Sequence, residues 1–152
     1  MSKFKKIIFL DEENTMLSPY AEALMKLKLA KLGVSGLQIA SRGWVVLFPE
    51  PVNQKVCAIA EKTGISLSHH KATALEESDF SDSTLVLTMD EETKNRIYQK
   101  YSGAVNVYNL KSYLEKPGSL SLPIGGTIEE YEAVCRELEG LLEGLIEKET
   151  SL

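Results

Sequence analysis

Cysteine is scarce in this chain, and its two copies follow no pairing pattern. Cys57 and Cys135 lie far apart, with no C-x-x-C and no Cys/His spacing. That excludes a disulfide-stapled scaffold and a zinc finger. Both fall on the apolar side of helical patterns and read as core thiols, so a reducing, cytoplasmic location is expected. Long apolar runs are lacking too. The longest covers residues 44–48, against the roughly 20 residues of a membrane-spanning helix. Lys3, Lys5 and Lys6 precede a short apolar stretch that meets Asp11, which is too brief for a secretion signal. Membrane is therefore not an expected partner. Nor is there a basic block or stripe: 17 Lys and Arg stand against 22 Asp and Glu, a net charge of −5, so nucleic acid is not expected either.

What is present suits a globular protein. Hydrophobic residues make up 43% and charged residues 26% of 152 positions, enough for one domain over 1–152 with its own core. No repeat, linker or low-complexity segment divides it. Residues 7–10 (Ile-Ile-Phe-Leu) form a continuous apolar run, the signature of a strand buried on both faces of a parallel sheet. A polar turn over 11–17 follows. Ser18-Pro19 then predicts a helix start, with Ser18 as cap and Pro19 in the first helical position, and Gly33 predicts its stop.

Further strands are predicted over 37–41, 84–89 and 105–110. Helices are predicted around Val52–Gly64, briefly from Ala72 toward Ser78, from an Asp90 cap through Tyr101, and from a Thr127/Glu130 capping box onward. The last shows Ile128, Tyr131, Cys135, Leu138, Leu142 and Leu145 at helical spacing. Its other face carries eight glutamates between Glu129 and Glu149, read as a solvated face. The tail after Lys148 is expected to fray. The alternation predicts a three-layer α/β fold, a four-stranded parallel sheet with helices on both faces. Ligands of such sheets bind beyond the carboxyl ends of the strands. The turn at Asp11, the Ser41-Arg42-Gly43 turn, Asp90 and the Pro123 loop are predicted to gather there.

The arrangement resembles the low-molecular-weight protein tyrosine phosphatase family, with its arginine-phosphatase relatives and the fold-sharing arsenate reductases. The likeness runs from about Lys6 to Leu145. Asn14-Thr15 and Ser18-Pro19-Tyr20-Ala21-Glu22-Ala23 match the end of the family's loop and its helix start. Ser41-Arg42-Gly43 resembles its Ser-Ala-Gly turn, and Pro51 the Pro of the Gly-x-Pro that follows. Residues 64–68 with His70-x-Ala72 resemble Gly-Ile-Asp-Leu-Ser-x-His-x-Ala. Thr88-Met89-Asp90 resembles the Met-Asp after the third strand. Pro123-Ile124-Gly125-Gly126 with Glu129 and Tyr131 resembles the junction of acid loop and last helix.

The resemblance also implies which positions carry chemistry, and there the residues differ. The nucleophilic Cys position falls on Asp11, the phosphate-gripping Arg on Leu17, the Gly beside the Asn on Glu13, and the general-acid Asp on Leu122. A phosphocysteine mechanism needs a thiolate held by backbone N–H groups and a helix N-terminus. It needs a bidentate guanidinium, and a proton donor that contributes ~10²–10⁴-fold. None of these side chains supplies those functions. Asp11, Glu12 and Glu13 would instead repel a phosphate dianion, by ~4 kcal/mol per charge pair at ~4 Å and an effective dielectric near 20.

Three readings of the acidic turn follow. In the first the chain is a pseudophosphatase. Asp11 takes the place of the bound phosphate, and the domain serves as a binding or regulatory module toward an unnamed protein partner, with no cofactor, as a monomer or weak homodimer. In the second, residues 9–15 also resemble the Asp-x-Asp-x-Thr motif of haloacid-dehalogenase-type phosphatases, which implies Asp11 as nucleophile with magnesium. In the third, Asp11, Glu12 or Glu13, joined by Asp90, are oxygen ligands of a hard cation, magnesium.

Around the turn, Glu12, Thr15 and Met16 complete the loop, and Asn14, Ser18 and Ser41 are expected to hold it by side-chain hydrogen bonds. His70 is read as a structural histidine. Arg42 is expected near the rim as a salt-bridge partner of Asp11 or Asp90. Trp44 and Phe48 are candidates for lining the pocket.

Overall fold

The computed structural model describes residues 4–150. Four strands, β1 (Lys6–Asp11), β2 (Gln38–Gly43), β3 (Thr84–Thr88) and β4 (Val107–Asn109), form one parallel sheet in the order β2-β1-β3-β4. The helices are α1 (Leu17–Lys31), α2 (Gln54–Lys62), α3 (Glu91–Lys100), a short α4 (Leu110–Tyr113) and α5 (Ile128–Thr150). The predicted three-layer α/β architecture is what is observed.

The two faces of the sheet divide by strand parity. Ile7, Phe9, Leu85 and Leu87 point into a core with Tyr20, Met25, Val56, Leu138 and Leu142, contributed by α1, α2 and α5. Ile8, Leu10, Val86 and Val107 point the other way, onto Ile97 of α3. Central strands β1 and β3 are covered on both sides, so their apolar runs are continuous rather than alternating. The capping box of α5 is present: the Thr127 backbone N–H donates to Glu130 Oε1 at 3.0 Å, and the Glu130 N–H to Thr127 Oγ1 at 3.2 Å. No described helix is long and apolar enough to cross a membrane.

Four local expectations are corrected. Helix α1 begins at Leu17, with Met16 in the capping position. Ser18 does not cap: it lies within the first turn, where its N–H is one of the amides in need of a cap and donates to the Asp11 carboxylate at 2.9 Å, and its hydroxyl accepts from Asn14 Nδ2. No helix runs from Ala72 to Ser78. Ala74 instead forms an isolated parallel bridge with Gly43, and only a single 3₁₀ turn forms, at Glu77–Asp79. The backbone groups there are taken by the end of β2, since Gly43 donates to Thr73 O and Leu75 donates to Gly43 O. Strand β4 is shorter than residues 105–110, because Asn106 adopts φ +57° before it and the chain turns into α4 after it. Helix α5 continues past Lys148 to Thr150; residues 151–152 of the expected frayed tail lie outside the described residues.

Candidate functional site

The site is built on the turn between β1 and α1. Asp11 ends β1 at the carboxyl edge of the sheet. Its Oδ1 accepts from the Asn14 N–H at 2.5 Å, and its Oδ2 from the Met16 N–H at 3.2 Å and the Ser18 N–H at 2.9 Å. These donors are the otherwise unpaired amides of the loop and of the first turn of α1, where the helix dipole also favours an anion. Asp11 therefore caps α1 from outside the helix. Burial pushes its carboxyl above the ordinary value, and the hydrogen bonds from Ser18, Asn14 and Met16 pull it back down.

Behind this turn lies a closed polar network. Asn14 is fully buried and sits at φ +62°, a left-handed conformation that Asn tolerates better than most residues. Its Nδ2 donates to Ser18 Oγ and to Ser41 Oγ, both at 2.9 Å. Its Oδ1 accepts from the Thr73 N–H at 2.9 Å, and its backbone oxygen lies 2.9 Å from His70 Nε2. Ser41 passes its own proton to Glu22 Oε1 at 2.6 Å. Gly43 is required alongside: a Cβ there would lie 2.8 Å from the Glu13 carbonyl carbon and 2.9 Å from the Asn14 nitrogen.

A cleft of about 200 Å³ opens in front of Asp11. Leu17 and Leu122, buried at 3% and 7% exposure, form its apolar walls with Met16 and Met89. Asp90 sits at its edge, where its Oδ1 caps α3 by accepting the Thr93 N–H at 2.7 Å. Glu12 lines the cleft, whereas exposed Glu13 faces a neighbouring groove with Trp44. Thr15 contributes its backbone oxygen to the Asn53 N–H, which ties the loop to the start of α2. Among the described residues no group of three or more His, Cys, Asp or Glu is placed to hold a metal ion.

Arg42 is not where the sequence suggested. Paired in register with Leu10, it points to the α3 face and binds Asp79, with Nε to Oδ2 at 3.3 Å, rather than Asp11 or Asp90. The rim cation is Arg96, which the sequence reading missed. Its Nη2 meets Glu12 Oε2 at 2.7 Å and Thr93 Oγ1 at 3.3 Å, and its guanidinium lies 5.0 Å from the Trp44 ring centroid. The available signal was the Asp90 cap. Residues three and six positions after a cap share the face that looks back at the helix start.

Neither cysteine reaches the site. Cys57, on α2, donates its Sγ–H to Val52 O in the preceding loop, and burial raises its thiol. Burial pushes the Cys135 thiol up to about 11. Both are held in the thiol form, unsuited to nucleophilic attack.

Residues 6–151 match the family of low molecular weight phosphotyrosine protein phosphatases. The chain belongs to this family. Within it, the chain is 28% identical over 145 residues to a protein-arginine-phosphatase of Geobacillus stearothermophilus, covering 94% of this chain and 95% of that one. It is 29% identical over 141 residues to the low molecular weight protein-tyrosine-phosphatase PtpB of Staphylococcus aureus, covering 90% and 94%. Among solved structures it superposes on a low molecular weight protein tyrosine phosphatase from T. tengcongensis with a TM-score of 0.87, at 29% identity and 94% and 98% coverage. A mutant of the YwlE arginine phosphatase with a phosphorylated active-site serine gives a TM-score of 0.84, at 30% identity and 94% coverage of both chains.

Proposed function

We propose that this member of the phosphatase family is catalytically silent and acts as a binding or regulatory module for another protein. One observation carries the reading. The carboxylate of Asp11 already accepts the Asn14, Met16 and Ser18 amides, which are the donors a phosphoryl group would need. A ligand phosphate would have to displace a covalently tethered anion. The cleft walls add to this. Leu17 and Leu122 offer neither a guanidinium nor a proton donor, so the two positions that the family resemblance assigns to gripping the phosphoryl oxygens and protonating the leaving oxygen supply neither function.

An aspartyl nucleophile with magnesium is the competing reading. It needs a carboxylate oxygen free to attack and a second carboxylate converging on the metal. Both Asp11 oxygens are occupied, and Glu13 faces the neighbouring groove. The test is hydrolysis of a generic aryl phosphate, with and without magnesium. The expected result is no turnover above background in either condition. Magnesium-independent turnover would overturn the silent-site reading. Magnesium-dependent turnover lost in Asp11→Asn would replace it with the aspartyl mechanism.

A further inference from the structure

The loop after β2 displays an apolar surface that the fold leaves uncovered. Leu47 and Phe48 are 80% and 79% exposed, and Val45 is 37% exposed. Of the seven large apolar side chains exposed among the described residues, three therefore fall within residues 45–48. Apolar side chains grouped in this way beside a polar rim mark contact surfaces. The loop is pinned to the site turn: the Trp44 N–H donates to Asp11 O at 2.9 Å, and the Val45 N–H to Glu12 O at 3.0 Å. At its far end the Asn53 N–H donates to Thr15 O at 2.8 Å.

These side chains line a groove of about 350 Å³ whose charged residues are Glu12, Glu13 and Glu50. Only Glu12 has a cationic partner among the described residues, the Arg96 guanidinium. Among the described residues, no Lys or Arg ion pair engages Glu13 or Glu50. The groove is thus apolar along one side and acidic along the other, with Arg96 and Lys100 confined to the Trp44 ring at 5.0 and 4.9 Å from its centroid. Phosphorylated segments and anionic membrane surfaces are both repelled by such a rim. A second copy of the chain would bring its own net charge of −5.

We propose that this groove docks a partner protein through an exposed segment in which Lys or Arg alternates with bulky apolar side chains. The apolar residues would cover Leu47 and Phe48, and the cations would meet Glu13 and Glu50. Charge complementarity selects the partner and the apolar contact holds it. This inference rests on the reading of the domain as a binding module.

The experiment is fluorescence anisotropy of the full chain with a labelled peptide alternating Arg with Leu and Phe, against the same peptide with Glu in place of Arg. The basic peptide is expected to bind at least roughly tenfold tighter, with an advantage that shrinks as salt rises. Leu47→Ser with Phe48→Ser should weaken its binding by roughly tenfold. Glu13→Lys with Glu50→Lys should reverse the preference. All four side chains are exposed, so circular dichroism should confirm that both variants keep the fold. Equal binding of the two peptides overturns the proposal, as does binding that neither double variant alters. A concentration-dependent dimer abolished by Leu47→Ser with Phe48→Ser also overturns it, since a second copy would then be the occupant. Aryl-phosphate turnover is scored separately: turnover with peptide preference intact removes only the silent-site reading, and absent turnover with absent preference removes only the groove.

Discussion

The frame of the site and its floor have parted ways. The frame, Asn14 with Ser18, Ser41, Glu22 and His70, is a buried to half-buried set of polar groups in which both polar atoms of the Asn14 side chain find partners. The floor, Asp11 between Leu17 and Leu122, holds one anion and apolar walls. Buried polar networks are costly when half-satisfied, so loss of any one member is penalised whether or not a reaction takes place. The floor is tied to stability as well, since Asp11 caps α1 and Leu17 and Leu122 are buried in the main core. The frame's contacts are held for stability whether or not the cleft supports a reaction.

The largest expected effect comes from restoring the floor on the existing frame. The combined replacement Asp11→Cys, Glu13→Gly, Leu17→Arg and Leu122→Asp should turn over an aryl phosphate at least ~10²-fold faster than the parent chain, given what a positioned acid alone contributes. A folded but inert variant would show that the frame too has drifted. Breaking the frame gives the next largest effect. Asn14→Ala leaves the Thr73 N–H without its acceptor and puts a less tolerant residue at φ +62°. It should destabilise the chain by about 3 kcal/mol in chemical denaturation.

The frame was largely legible in the sequence, and the floor's partners were not. Asn14, Ser18 and Ser41 are short polar residues beside an apolar strand, and such residues tie turns together locally. The layers followed from the apolar runs of residues 7–10 and 84–89, whereas the strand order β2-β1-β3-β4 was not read from the sequence. The Asp90 cap could place Arg96 on the right face of α3, but not its pairing with Glu12, which lies 84 positions away, since no periodicity reports a contact of that separation. Arg42 was misplaced for a related reason. Strand parity sends it to the α3 face, and parity is fixed only once the register Leu10–Arg42 is known. The start of α1 was shifted because a cap supplied by a residue outside the helix looks, in sequence, like a missing cap. Residues 72–78 read as a helix because their propensity was not opposed locally; the bridge to Gly43 outweighed it.

Asp11 itself offers a pH test of intermediate size. Its carboxyl is raised above the ordinary 3.8 by burial. A raised acid binds its proton more tightly in the folded chain, so its contribution to stability is fully present below the ordinary value and is lost as pH rises through the raised one. The stability of the parent relative to Asp11→Asn should fall across that window, as read by denaturation at a series of pH values. A difference that is flat with pH would mean that the hydrogen bonds cancel burial, and one that rises with pH would mean that they outweigh it. At the rim the effect should be smallest. Arg96→Ala removes a half-exposed ion pair and the cation over Trp44. It should cost less than about 1 kcal/mol while clearly shifting Trp44 fluorescence.

The claim that Asp11 occupies the phosphate cradle is tested most directly by titrating inorganic phosphate while following the amide resonances of Asn14, Met16 and Ser18. In the parent chain these three should stay in place, and in Asp11→Ala they should move together in a saturable way. Saturable movement of the same amides in the parent would contradict the account.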